Sequence, residues 1–265
     1  MSLISDMDDF LSDSAALFGD VPHDDGTIRY GPLVLTVAPK EGKANTLLAD
    51  HLFSPSLLLA ELIERGLISL ERKTVVELGA GCALPSLLSA TLINSPSLLV
   101  ITDYPDQGII RNLTENVARN RAHYQEACSV NTAGYEWGQD AGPLLRLLRE
   151  GASDHSDGFD VVIMSDLLHF DSSHDVLLQS LISLLRRTSS ARAYIAAGKY
   201  TPPHVCDHFV QEARRAGIVM DEGEVEGVWR GSLEVSGGGL DREQLGVRKN
   251  MCRWWIGRWE NPAAK

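Results

Sequence analysis

Thr74-Val75-Val76-Glu77-Leu78-Gly79-Ala80-Gly81-Cys82-Ala83-Leu84-Pro85 is the stretch on which the reading of this chain turns. Its first five residues are largely apolar and β-branched, the pattern of a parallel strand buried on both faces. Gly-Ala-Gly then makes a turn whose missing side chains let the backbone come close to a ligand. An apolar helix follows, with Pro85 tolerated in its first turn because the hydrogen it lacks is unpaired there anyway. Strand, glycine turn and helix form the unit that binds a nucleotide-like cofactor at the carboxyl edge of a doubly wound α/β sheet.

The turn alone does not fix the cofactor. A dinucleotide fingerprint wants a third glycine three residues after the second, and Leu84 stands there. Glu77, two places before Gly79, suits a cationic ligand better than a pyrophosphate, and S-adenosylmethionine carries a sulfonium, an ammonium and a ribose diol. Asp103 lies 22 residues after Gly81, at the end of a second strand over 98–102. A carboxylate there can accept both ribose hydroxyls of an adenosine. Dinucleotide and methyl-donor sites share that acid, and a helix-capping Asp would look the same. Tyr135-Glu136-Trp137-Gly138 follows a short third strand over 129–133. An aromatic at that point either stacks on an adenine face or packs beneath a loop. The fourth strand, 159–165, runs into Ser165-Asp166-Leu167-Leu168-His169. Its carboxyl end faces the same crevice, so Asp166 and His169 are placed to handle a reacting group. A helix cap for Asp166 and an ordinary packed ring for His169 remain the alternatives.

Elsewhere the pattern predicts a hairpin over 27–38, a helix over 53–65 stopped by Gly66, and helices over 85–93, 107–120, 144–150, 174–185 and 203–216. A fifth strand is expected over 191–197, another over 218–225, and a last one over 251–258. The stretch 231–246 reads as a glycine-rich loop without a helix, which makes the last two strands antiparallel neighbours. An antiparallel pair ending a parallel sheet marks the methyltransferase variant of this architecture. His204 and His208 stand four apart on a predicted helix, but no Glu follows the first and no third ligand is evident, so no metal is read there.

Composition bounds the function. The 265 residues carry a formal net charge of −12, and seven aspartates with no Lys or Arg fall within 1–25, leaving −5 for the rest. Residues 1–25 therefore read as an acidic tail, and 26–265 as one catalytic domain. Phosphate-driven nucleic-acid binding is disfavoured, whereas a basic protein partner is accommodated. Four cysteines without paired spacing point to a reducing compartment, the cytoplasm. No run approaches the ~20 apolar residues of a membrane span, and the start shows no secretory pattern.

Glu77 to Pro85, then Thr102-Asp103-Tyr104-Pro105-Asp106, then Asn112, Asn116 and Asn120, then Trp137-Gly138, then Ser165-Asp166-Leu167-Leu168-His169-Phe170 follow one another in an order that resembles the seven-strand protein methyltransferases acting on lysines and N-termini. Among them the chain resembles the fungal branch that methylates the N-terminus and adjacent lysine of translation elongation factor 1-alpha, formerly called nicotinamide N-methyltransferase-like. Arg248 to Trp255 fits it as well. The resemblance implies a Rossmann-like class I methyltransferase: seven mostly parallel strands, an N-terminal hairpin and an antiparallel last strand. It implies S-adenosylmethionine as cofactor. Gly79, Ala80 and Gly81 would line its methionine part, Asp103 would hold the ribose, Trp137 would flank the adenine, and Ser165 would touch it from the fourth strand. Glu77 and Tyr104 count among the cofactor-binding residues on the same grounds. Asp166 would open the motif that meets the substrate amine, with His169 closing it where the wider family has Tyr. Phe53 stands where the family carries a cofactor-side Trp, keeping the flat surface without the indole donor. Other readings are a methyltransferase for a small pyridine and a non-catalytic binding protein of the same fold. A dinucleotide oxidoreductase is disfavoured by Leu84 and the terminal strand pair.

Overall fold

The structure, a computed structural model, describes residues 27–49, 51–151, 157–237 and 240–262. The expected acidic segment 1–25 lies outside them. In chain order the described elements are β1 (Thr27–Tyr30), β2 (Leu33–Thr36), α1 (Gly42–Thr46), α2 (Ser54–Glu64), β3 (Thr74–Leu78), α3 (Leu84–Thr91), β4 (Leu98–Asp103), α4 (Gln107–Asn120), β5 (Ser129–Gly134), α5 (Gly142–Gly151), β6 (Val161–Ser165), α6 (His174–Leu184), β7 (Arg192–Gly198), α7 (Pro203–Arg215), β8 (Ile218–Gly223), β9 (Val235–Ser236), α8 (Arg242–Asn250) and β10 (Cys252–Trp259).

Among the described residues seven strands form the main sheet, in the order β5-β4-β3-β6-β7-β10-β8. The pairs from β5 through β7 are parallel, and β10 runs reversed between β7 and β8. Every residue of β3 and β6 is buried, as expected for central strands covered on both faces. Val75 and Ile163 face a layer built with α2 and α3, while Val76, Leu78 and Val162 face one built with α6 and α7. The chain starts at the sheet centre in β3, builds outward through β4 and β5, then returns to β6 on the other side. That reversal opens a crevice at the carboxyl ends of β3 and β6, the usual ligand position in open α/β sheets. No helix among the described residues is long and apolar enough to cross a membrane.

One expectation is corrected. The stretch 231–246 is not a plain loop: it holds β9, which pairs with β1, and the start of α8. The expected strands β8 and β10 are antiparallel neighbours, but β9 and a helix lie in their connection. Glycine content and sparse apolar residues hide α8, yet it has a start signal. Asp241 accepts from the Gln244 amide at 2.8 Å and Gln244 accepts from the Asp241 amide at 3.3 Å, a capping box. Burial of a charge also masks its packed face. Lys249, 1% exposed, meets Glu61 of α2 at 2.5 Å and donates to the Val228 carbonyl at 3.1 Å. One turn along α2, Glu64 receives the Tyr30 hydroxyl at 2.7 Å and the Leu233 amide at 2.8 Å. Two carboxylates of one helix thus fasten the segment that precedes α8.

The hairpin is attached by an asparagine ladder. Asn112, Asn116 and Asn120 are buried along one face of α4. Asn120 accepts the Val34 amide at 2.8 Å and donates to the Val34 carbonyl at 2.9 Å. Asn116 does the same for Thr36 at 2.9 and 2.8 Å, and Asn112 adds a bond to the Thr36 carbonyl at 3.0 Å. Four helical residues rise about 6 Å, close to the ~6.7 Å between alternate residues of a strand, so the amides stay in register with β2.

Candidate active site

A cavity of about 210 Å³ opens at the crevice. Its floor is the turn between β3 and α3. Gly79 and Gly81 both have φ of +56° and Ala83 has +61°, the left-handed region where glycine is at ease. A Cβ on Gly79 would lie 2.6 Å from the Leu167 side chain, whereas one on Gly81 would meet nothing within 4 Å. Gly79 is therefore needed for packing as well as conformation, and Gly81 leaves room for a ligand. The turn is tied to β4 by the Ala80 amide, which donates to the Thr102 carbonyl at 3.0 Å.

Asp103 ends β4 with its carboxyl on the cavity wall. One oxygen accepts the Gly81 amide at 2.7 Å and the other the Tyr104 amide at 2.7 Å. A carboxylate has about four lone-pair positions, so each oxygen keeps one for a further donor. Burial raises its pKa, against the pull of those two amides. Tyr104 lines the cavity beside it, with the Lys43 ammonium 5.6 Å from its ring. Trp137 forms another flat wall. Its loop is fixed by Ser180, whose hydroxyl accepts from the Gly138 amide at 2.8 Å and from the Tyr135 hydroxyl at 3.1 Å.

Ser165 and Asp166 deliver the tip of β6. The Ser165 hydroxyl pairs with that of Ser56 on α2 at 2.9 Å. Asp166 has φ of +63° and is 4% exposed. No helix starts at it. Its carboxylate accepts the Gly198 amide at 3.2 Å and the Tyr200 hydroxyl. Burial raises the Asp166 pKa, while His169, Tyr200 and Gly198 oppose the rise. His169 lines the same cavity, and neither imidazole nitrogen has a hydrogen bond of regular geometry among the described residues. Burial lowers its pKa below the ordinary value of about 6.5, with Asp166 pulling the other way. The ring borders the cavity while both of its nitrogens are buried.

Phe53 sits at the start of α2, with ring centroids 5.6 Å from His51 and 6.2 Å from Tyr200. His169 lies 3.9 Å from Phe170, and Phe170 lies 5.5 Å from Trp137. The structure thus brings ten of the eleven residues singled out in the sequence to one cavity: Phe53, Gly79, Ala80, Gly81, Asp103, Tyr104, Trp137, Ser165, Asp166 and His169. It does not bring Glu77 there. That carboxyl is 1% exposed within β3, without a regular hydrogen-bond partner among the described residues. Burial pushes its pKa up to about 8, partly countered by Ser86 and reinforced by Asp103. The sequence reading missed the opposite wall, Leu47–Ala49 with His51, Leu52 and Ser56. It also missed Tyr200, for which no spacing signal exists.

The donor set fits S-adenosylmethionine: free acceptor positions on Asp103, open space before Gly81 and flat walls at Tyr104 and Trp137. The fold is similar to that of NSun6 from Pyrococcus horikoshii, solved with SFG, at a TM-score of 0.51 and 15% identity over 84% of this chain and 56% of that one. The reversed strand in an otherwise parallel sheet gives the molecule a Rossmann-like α/β fold. The chain is 30% identical over 214 residues to the protein N-terminal and lysine N-methyltransferase EFM7 of Gibberella zeae, covering 78% of this chain and 79% of that protein. Identity to efm7 of Neurospora crassa is 29% over 226 residues, 82% of this chain and 77% of that one. The family model described as lysine methyltransferase matches residues 40–210, and the chain belongs to that family.

Proposed function

We propose that this chain methylates protein amines, its acceptor being the N-terminal amine and adjacent lysine of translation elongation factor 1-alpha. The names of the relatives support a protein acceptor. The elongation factor itself rests on the sequence resemblance. The observation that carries the reading is that Asp166 and His169, both at the tip of β6, line the same cavity as the glycine turn.

S-adenosylmethionine, when bound, supplies a methyl group already activated by its sulfonium. Asp103 would hold the ribose, Gly79, Ala80 and Gly81 the methionine part, and Trp137 with Tyr104 the flat adenosine side. The acceptor amine must be neutral to attack. An α-amino group titrates at about 7.7–8.0 and a lysine at about 10.4, so the N-terminal amine is the readier acceptor. His169 takes up its proton, and Asp166 orients the amine and stabilises positive charge as it develops. Alignment of the two reactants contributes roughly 7–11 kcal/mol. Residues 26–265 act as the catalytic domain in the cytoplasm, in keeping with the free cysteines Cys82, Cys128, Cys206 and Cys252. Labelled methyl transfer into a cell lysate, followed by mass spectrometry of the labelled band, tests the assignment. Label at the elongation-factor N-terminus is expected. Label confined to small molecules would overturn it in favour of a pyridine acceptor.

A further inference from the structure

We propose that Tyr200 is a positioning residue for methyl transfer: its hydroxyl pins the Asp166 carboxylate at the tip of β6, and its ring spaces Phe53 from His169. This rests on the reading of Asp166 as the amine-facing carboxylate. Tyr200 sits just past β7, on a turn closed by the Thr201 amide donating to the Gly198 carbonyl at 3.0 Å. Its hydroxyl donates to one Asp166 oxygen, while the Gly198 amide donates to the other at 3.2 Å. Its ring lies 6.2 Å from Phe53 and 6.4 Å from His169. One side chain therefore touches the group that would orient the amine, the group that would take its proton, and the aromatic wall opposite.

The surroundings are built to keep it there. A Cβ on Gly198 would come within 2.1 Å of the Tyr200 ring, so glycine at that position is what admits the ring. The Lys199 amide donates to the Met251 carbonyl at 2.7 Å, which ties the turn to the end of α8. From α8, Arg248 donates to the Leu52 carbonyl at 2.5 Å and to the Ser54 hydroxyl at 3.1 Å, bracketing Phe53. Arg248 also acts electrostatically on Tyr200. The C-terminal third of the chain thereby sets both walls of the amine site, although Tyr200 does not itself line the cavity.

The ionisable groups acting on Asp166 are His169 from its own loop and Tyr200 beyond β7, while Asp166 in turn pushes up the thiols of Cys206 in α7 and Cys252 in β10. Tyr200 stays protonated, because burial and Asp166 raise its pKa well above the usual phenol value. It therefore acts as a donor and not as a base. A donor that stabilises the ionised carboxylate leaves a signature that packing alone does not: removing it raises the Asp166 titration, and strengthening it lowers that titration.

The test is a carbon-13 NMR titration of the Asp166 carboxyl in the full chain, for the parent, for Tyr200→Phe, and for 3-fluorotyrosine at position 200. Tyr200→Phe keeps the ring and removes the donor, and should move the midpoint up by about one to two pH units. The fluorinated phenol is a stronger donor of nearly the same shape, and should move it down. The acid limb of kcat/KM should follow in the same directions, with cofactor affinity unchanged. Equal midpoints in the three proteins would overturn the proposal, as would shifts of the same sign for both replacements. If Tyr200→Phe does not fold, the fluorinated protein alone decides. The titration needs no acceptor, so its outcome is independent of whether label reaches an elongation factor.

Discussion

Replacing Asp103 tests the site at the point where geometry makes the sharpest statement. Each carboxyl oxygen already accepts one backbone amide at 2.7 Å, and each retains one acceptor position for a ribose hydroxyl. Hydrogen bonds to a charged group contribute about 1.5–3 kcal/mol each. Asp103→Ala therefore costs about 3–6 kcal/mol of binding, or roughly a hundred- to ten-thousandfold in Kd. Asp103→Asn keeps the shape but turns one acceptor into a donor. That donor would face the amide of Gly81 or of Tyr104, donor against donor, so this variant should lose affinity as well despite its matching shape. The assay is isothermal titration with S-adenosylmethionine and, in parallel, S-adenosylhomocysteine, after thermal melts show that the variants fold. Both ligands carry the ribose and only one the sulfonium, so both should weaken by the same factor. An affinity for Asp103→Ala within about threefold of the parent would refute the reasoning. So would a loss confined to the sulfonium ligand, since the acid would then act through charge and not through the diol.

Three other outcomes are expected. Asp166→Ala should leave cofactor affinity within about threefold but lower kcat by roughly a hundred- to thousandfold, the scale of a lost electrostatic stabiliser; comparable kcat in single-turnover assays would contradict its assignment. Glu77→Gln should flatten the alkaline fall in stability. The folded carboxyl titrates at about 8 against an ordinary 4.5, so its contribution is full below pH 4.5 and is lost as pH rises through about 8. Tm measured from pH 5 to 9 should accordingly drop less in the variant, and parallel curves would contradict the reading. Asn120→Ala removes both bonds to Val34 and should cost about 2 kcal/mol, lowering Tm by roughly 4–8 °C; an unchanged melt would show the rung to be dispensable.

The parallel half of the fold was legible because buried strands and amphipathic helices write their periods into the sequence. The runs at 74–78 and 107–120 fall within the observed β3 and α4 without adjustment. The end of the chain was harder. Its helix α8 buries Lys249 against Glu61, and neither residue type signals an interior. Glycine positions 79 and 81 and the acid at 103 were legible because each has a conformational or hydrogen-bonding reason tied to its residue type. Glu77 was not, since chain proximity to the turn does not say on which side of the strand a carboxyl falls. Tyr200 was hidden for the converse reason. It sits 34 residues from Asp166 in sequence, and only the pairing of β6 with β7 brings them together.

The asparagine ladder has a consequence for how the molecule behaves in company. A bare strand border is a template on which a second chain can lay its own backbone, the first step towards aggregation. In the small sheet ordered β2-β1-β9, the β9 side offers, among the described residues, only Val235 and Ser236. The β2 side is the longer invitation, and Asn116 and Asn120 answer it by occupying the amides and carbonyls of Val34 and Thr36. Side chains of a helix thus stand in for the missing neighbour, and the hairpin is closed to recruits along that border.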